Sequence, residues 1–125
     1  MSNAVINHVN IPVADLDRSV AFYCDVLGFR HVKSFARRDG TVYKAVLEHR
    51  GFDVFLQQTH GSCLPPDFHF GLQADRETLI DIARKLRERS IDVGQGPIES
   101  PPGSNTHRFY FRDPDGTVIE VYDWA

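Results

Sequence analysis

The stretch that decides the fold reads Asp113-Pro114-Asp115-Gly116-Thr117-Val118-Ile119-Glu120-Val121-Tyr122. A polar four-residue turn, with Pro at its second position and Gly at its fourth, leads into a strand-like apolar run. That run carries one carboxylate in its middle, Glu120. A charge between Ile119 and Val121 is costly unless it points at water, a cation or a metal. Two histidines upstream have similar settings. His8 lies in Val5-Ile6-Asn7-His8-Val9-Asn10-Ile11, and His69 in Asp67-Phe68-His69-Phe70-Gly71-Leu72. Two imidazoles and one carboxylate, each on a strand, form a ligand set suited to a divalent first-row ion.

Working outward, residues 4–12 alternate and are rich in Val and Ile, which predicts a strand. Asp15 offers an N-cap, and Leu16, Val20, Tyr23, Cys24 and Leu27 fall on one helical face. Gly28 stands where a helix end favours glycine. Residues 29–36 read as a second strand, Asp39-Gly40 as a hairpin turn, and residues 41–48 as its partner. Arg50-Gly51 turns again into a strand over 52–58. The linker, 59–66, holds neighbouring prolines and a glycine. Then the order restarts. A strand over 67–74 carries His69, and Asp75 caps a helix whose buried stripe is Leu79, Ile82, Ala83 and Leu86. A short strand is expected at 91–93, a Gly/Pro-rich loop from 94 to 104, and two closing strands at 106–112 and 117–123.

The reading is one domain of two tandem β-α-β-β-β modules, module one over 4–58 and module two over 67–123. The expected fold is α+β, a curved, open barrel-like sheet with helices outside. His8 and His69 hold the same place in their modules, on the first strand just before the helix. Glu120 lies on the fourth strand of module two.

The totals agree with an ordinary globular chain. With 125 residues, 42% hydrophobic and 25% charged, the chain supports one proper core. A formal net charge of −3 argues against a nucleic-acid partner or a basic membrane surface. No apolar stretch approaches a membrane span and no signal peptide opens the chain. Cys24 and Cys63 lack C-x-x-C spacing, and Cys24, inside an amphipathic segment, is expected to pack in the core. A reducing cytoplasm is the expected compartment.

The segments 8–16 (His-Val-Asn-Ile-Pro-Val-Ala-Asp-Leu), 22–29 (Phe-Tyr-Cys-Asp-Val-Leu-Gly-Phe) and 109–116 (Phe-Tyr-Phe-Arg-Asp-Pro-Asp-Gly) through Glu120 carry a resemblance. With the repeat, they make the chain similar to the vicinal oxygen chelate superfamily, which includes glyoxalase I, fosfomycin-resistance proteins, extradiol dioxygenases and bleomycin-resistance proteins. As a fold signature this is specific; as a guide to substrate it is poor, because the fold hosts many chemistries.

The resemblance implies that His8, His69 and Glu120 hold a divalent metal ion (Mn, Fe, Co, Ni or Zn) to which a small substrate chelates through neighbouring oxygens. Bleomycin-binding members lack these ligands, so the set tilts the chain toward the metalloenzymes. Glyoxalase I has a glutamate on the fourth strand of module one that also moves a proton; here Gln57 is the candidate for that place, with Phe55 on its face. An amide oxygen coordinates weakly and cannot act as a general base. Tyr110 and Asn10 match positions where fosfomycin-resistance enzymes carry pocket residues, and Arg108 shares the face of Tyr110. His107 is near, but out of register with, a histidine of the extradiol enzymes. The resemblance further implies a homodimer, with His8 from one subunit and His69 and Glu120 from the other. A metal-dependent lyase, isomerase or group-transfer enzyme is the first expectation. An iron(II) ring-cleaving dioxygenase and a non-catalytic binding or resistance protein are the alternatives.

Overall fold

The computed structural model describes residues 3–60, 64, 65, 67–93, 98, 99 and 107–123. In chain order the elements are β1 (His8–Val13), α1 (Leu16–Leu27), β2 (Arg30–Ala36), β3 (Val42–His49), β4 (Phe52–Gln58), β5 (His69–Gln73), α2 (Arg76–Glu88), β6 (Ile98–Glu99), β7 (His107–Arg112) and β8 (Val118–Tyr122). Two compact units result, Met1–Cys63 and Leu64–Ala125. Each is a β-α-β-β-β unit with a four-stranded mixed sheet, ordered β1-β4-β3-β2 in the first and β5-β8-β7-β6 in the second. The first and last strands of each unit pair in parallel, β1 with β4 and β5 with β8, and the remaining pairs are antiparallel. The chain is thus α+β, with the element order repeated.

Local chemistry accounts for the boundaries. The Asp15 carboxylate accepts from the Arg18 N–H at 3.0 Å, capping α1. Gly28 ends that helix at φ 74°, a left-handed conformation that glycine adopts without Cβ strain. Asp75 repeats the cap on α2, accepting from Thr78 N–H at 2.8 Å. Gln58 ties the end of β4 to the start of α1: its Oε1 accepts from Leu16 N–H at 2.9 Å and its Nε2 donates to the Ala14 carbonyl.

In the first unit, Ile11, Val13, Ala45, Leu47, Val54 and Leu56 are buried, as are Leu16, Phe22, Tyr23, Val26 and Leu27 of α1. In the second, Phe109, Phe111, Ile119 and Val121 are buried, and α2 buries Leu79, Ile82, Ala83 and Leu86 as the pattern predicts. The alternate strand positions form the other face of each sheet, and the candidate residues lie there.

Four expectations are corrected. β1 starts at His8 rather than residue 4, because its partner β4 starts only at the Arg50-Gly51 turn; Asn7 accepts the Asp53 N–H at 3.1 Å, and Val5 and Ile6 stay exposed. The buried face of α1 includes Ser19, Phe22 and Val26, which leaves Val20 and Cys24 only half-buried. Residues 91–93 form no strand. There Ser90 turns left-handed at φ 57° and Ile91 N–H bonds the Leu86 carbonyl at 2.9 Å, so that stretch closes α2. The short strand is β6 instead, inside the stretch read as loop. Cys63 lies outside the described residues. Among the described residues no helix is long and apolar enough to cross a membrane.

Candidate functional site

The hairpin quoted at the outset aims Glu120. Asp113, itself buried, accepts from the backbone N–H groups of Asp115 and Thr117, both at 2.9 Å, and Gly116 turns at φ 89°. This fixes the register of β7 on β8, which sets Tyr110 opposite Glu120 and Arg108 opposite Tyr122. On the other side, β5 sets Gly71 opposite Glu120 and His69 opposite Val118. Period-2 alternation therefore puts His69, Gly71, Glu120, Tyr110 and Arg108 on one face of the second sheet.

Two of the predicted ligands meet on that face. His69 Nε2 lies 3.5 Å from Glu120 Oε2. The other ring nitrogen, Nδ1, faces the Asp67 carbonyl at 3.4 Å. A proton on Nδ1 shared with that carbonyl leaves the Nε2 lone pair toward the carboxylate, the tautomer that metal-binding histidines use. Two donors bound to one ion at about 2.1 Å and a tetrahedral angle stand about 3.4 Å apart, so the pair is spaced as two ligands of one ion. Glu120 is only 16% exposed at its side chain, and a carboxylate so covered requires a cation or strong donors. Gly71 lies against the same groups: a Cβ there would make ordinary contact with the Tyr122 ring at 3.4 Å and with Glu120 Cβ at 3.8 Å. The Tyr110 ring stands edge-on to His69, centroids 5.9 Å apart. A cavity of about 380 Å³ adjoins it, lined by Ile91, Asp92, Tyr110, Phe111, Arg112 and Val118.

His8, Asn10 and Gln57 share the corresponding face of the first sheet. His8 Nδ1 donates to the Asn7 side-chain carbonyl at 2.7 Å, as His69 Nδ1 faces the Asp67 carbonyl. Asn10 Nδ2 donates to Gln57 Oε1 at 3.1 Å. Counting along the paired strands from each histidine, Asn10 faces Phe55 as Gly71 faces Glu120. Phe55, two residues before Gln57, thus holds the register position of Glu120, and its ring stacks on His8 with centroids 4.2 Å apart. Neither unit by itself gathers three His, Cys, Asp or Glu side chains around one point among the described residues.

His107 points away from this chemistry, on the opposite face of β7 from Tyr110. Its Nδ1 accepts from Arg76 at 2.7 Å, and Arg76 Nε also donates to Asp123 at 3.1 Å. Burial pushes the half-buried Cys24 thiol up, and Asp25 adds to the rise, so it is no activated nucleophile. Sequence reasoning missed Lys44, whose Nζ lies 5.7 Å from the Phe55 ring centroid. The alternation of residues 44–48 was the available signal. It also missed Asn7 and Asp67, whose carbonyl oxygens face Nδ1 of His8 and His69.

Comparison with known proteins follows the same lines. The chain is 31% identical over 123 residues to the Bacillus subtilis (strain 168) catechol-2,3-dioxygenase, across 94% of this chain, and spans 40% of that protein's length. It is 28% identical over 135 residues to a probable lactoylglutathione lyase of Vibrio cholerae, across 97% of this chain and 91% of that protein. Among solved structures, the Listeria monocytogenes fosfomycin resistance protein FosX, crystallised with Mn(II) and sulfate, superposes with a TM-score of 0.78 at 13% identity, covering 100% of this chain and 95% of its own; at that identity the likeness is one of fold. The family model described as glyoxalase/bleomycin resistance protein/dioxygenase superfamily matches residues 5–121. With that match over nearly its whole length, the chain belongs to the glyoxalase/bleomycin resistance protein/dioxygenase superfamily.

Proposed function

We propose that this protein is a metal-dependent enzyme of the glyoxalase type, a lyase, isomerase or group-transfer enzyme acting on a small oxygen-rich substrate. His8, His69 and Glu120 hold its divalent ion, which is Mn, Fe, Co, Ni or Zn. The observation that carries the reading is the 3.5 Å approach of His69 Nε2 to Glu120 Oε2, with Nδ1 of each histidine turned to a carbonyl oxygen. When bound, such an ion polarises two neighbouring substrate oxygens and stabilises the negative charge that develops on them.

The chain's own groups do the rest. Tyr110, edge-on to His69, offers a phenolic donor to a substrate oxygen beside the cavity. Arg108, one alternation further along β7, offers a fixed positive charge on the same face. Asn10, held by Gln57, orients a polar group near His8. Gln57 carries no exchangeable acid–base proton at neutral pH, so proton transfer of the glyoxalase I kind does not run through it.

The active form we propose is a homodimer in the cytoplasm, with two equivalent sites. Each takes His8 from one chain and His69 and Glu120 from its partner. A second reading, iron(II) ring cleavage with oxygen, is favoured by one observation, the 31% identity to a catechol-2,3-dioxygenase. Elemental analysis of protein purified without chelator, followed by a screen of dicarbonyls, epoxides and catechols, tests both. Iron with oxygen consumption selects the second reading, another divalent ion with turnover of a non-aromatic substrate selects the first, and a protein that takes up no metal overturns both.

A further inference from the structure

Lys44 lies on β3, an interior strand of the first sheet. Its strand neighbour Ala45 and the next core position, Leu47, are buried on the α1 side, so alternation turns Lys44 to the face shared by His8, Asn10, Phe55 and Gln57. In the ladder it stands directly opposite Gln57. Lys44 is half-buried as a residue, and the three donors of its ammonium need water or an anion. Arg30, Arg76, Arg84 and Lys85 each have a carboxylate within 3.2 Å. Lys44 has none among the described residues; its described neighbours are rings, Phe55 at 5.7 Å and Tyr43 at 6.0 Å.

The arrangement has a direction. β1 and β3 flank β4 on opposite sides, so His8 and Lys44 approach the Phe55 ring from opposite sides. Imidazole, phenyl ring and ammonium form a row across one face. At the ammonium end, Gln57 Oε1 is occupied by Asn10, which leaves the Gln57 NH₂ donors without a partner among the described residues. A lysine directly across the ladder from an amide donor pair, with an apolar ring between it and His8, is suited to an anion attached to a short, flat or apolar body.

We propose that Lys44 and the Gln57 amide bind an anionic group of the substrate, a carboxylate, phosphonate or phosphate, and that Phe55 is the platform carrying the part of the molecule between that group and His8. Gln57 is then an anion-binding residue rather than a metal ligand. The proposal rests on the metal-centred reading only for where the other end of the substrate lies; the anion site is complete without the ion.

The test uses the metal-free protein, with inorganic phosphate and, separately, acetate as probes. The side-chain amide resonances of Gln57 and Asn10 are followed by two-dimensional NMR. Saturable shifts of the Gln57 NH₂ signals are expected. Lys44→Gln should weaken the midpoint about fivefold, the upper range for a partly exposed ion pair. Lys33→Gln, which removes an exposed lysine stacked over Phe35 on the neighbouring strand, should change it less than about twofold. Tighter phosphate assigns a phosphate or phosphonate group, and tighter acetate a carboxylate. Absence of saturable shifts, a Lys44→Gln titration equal to wild type, or an equal loss in Lys33→Gln overturns the proposal. The dispersed amide spectrum of Lys44→Gln verifies that it is folded. Mn(II) titration of the same samples separates the two claims: failure of Mn binding sinks the metal reading alone, and failure of anion binding sinks this one alone.

Discussion

Phe55 stacks on His8, ring centroids 4.2 Å apart and planes within 13°, in the register position where Glu120 meets His69 in the second unit. The two halves of the chain thus present the same histidine with different companions, a carboxylate in one and an aromatic ring in the other. A ring cannot ligate, so under the proposed metal reading the first unit would offer one donor and the second two.

Phe55→Glu is therefore expected to add a ligand. A carboxylate offsets the ion's charge as an amide dipole cannot. Zinc or nickel affinity should rise about tenfold or more in Phe55→Glu and stay within about twofold in Gln57→Ala. Competition against a chromogenic chelator reads both. A loss in Gln57→Ala as large as the gain in Phe55→Glu would return Gln57 to the ligand set.

The turn that aims Glu120 depends on Asp113. Asp113→Ala strips the acceptor from the Asp115 and Thr117 N–H groups and should cost about 2 kcal/mol or more. Thr117 behaves in the opposite way. Its buried Oγ1 has no partner among the described residues, so Thr117→Val should leave stability unchanged or raise it by up to about 1 kcal/mol. Denaturant melts of the two variants check the pair; a clear loss in Thr117→Val contradicts the account of that hydroxyl.

Much of this was legible in the sequence because the signals are local. Asp15, Gly28 and Asp75 mark helix ends through their own backbone chemistry, and Asp39-Gly40 and residues 113–116 mark turns in the same way. His69 and Glu120 were legible as a pair because both interrupt apolar strands. The start of β1 was not, since Val5 and Ile6 are as β-prone as the strand itself and only the later start of β4 leaves them out. Residues 91–93 look apolar enough for a strand, but their backbone closes α2. Phe55 was placed on the right face but not in the right register, because register depends on which residue of β4 meets Asn10. Lys44 was invisible for a related reason: a lysine matters there only because β3 is interior.

Acid should loosen the second unit through Asp123. Burial alone raises its carboxyl, but the His107 N–H and the Arg76 guanidinium outweigh it and hold it below the usual carboxylate value. The unfolded chain titrates this group at about 3.9. Its contribution to stability is fully present above that pH and is lost as pH falls through the lower folded value. Asp123→Asn should be less stable than wild type at neutral pH and lose less stability as pH falls below about 4. Urea midpoints across that range test it, and parallel curves for the two proteins contradict it.

Subunit mixing tests the proposed sharing of the site between two chains. In a dimer of one His8→Ala chain and one His69→Ala chain, one site keeps all three ligands and the other loses both histidines. Random re-pairing makes about half the dimers mixed, so metal binding should return to about a quarter of wild type per chain. If each chain supplies its own full ligand set, mixing two exchanging mutants restores nothing.

Calorimetric metal titration tests the central claim most directly, because it separates two ligands of one ion from a plain ion pair at the 3.5 Å spacing of His69 and Glu120. Wild type should bind about one Mn(II), Ni(II) or Zn(II) per chain, His69→Ala should bind none, and Glu120→Gln should lose far more affinity than Gln57→Ala. Equal binding by wild type and His69→Ala, or equal losses in Glu120→Gln and Gln57→Ala, would contradict the metal centre.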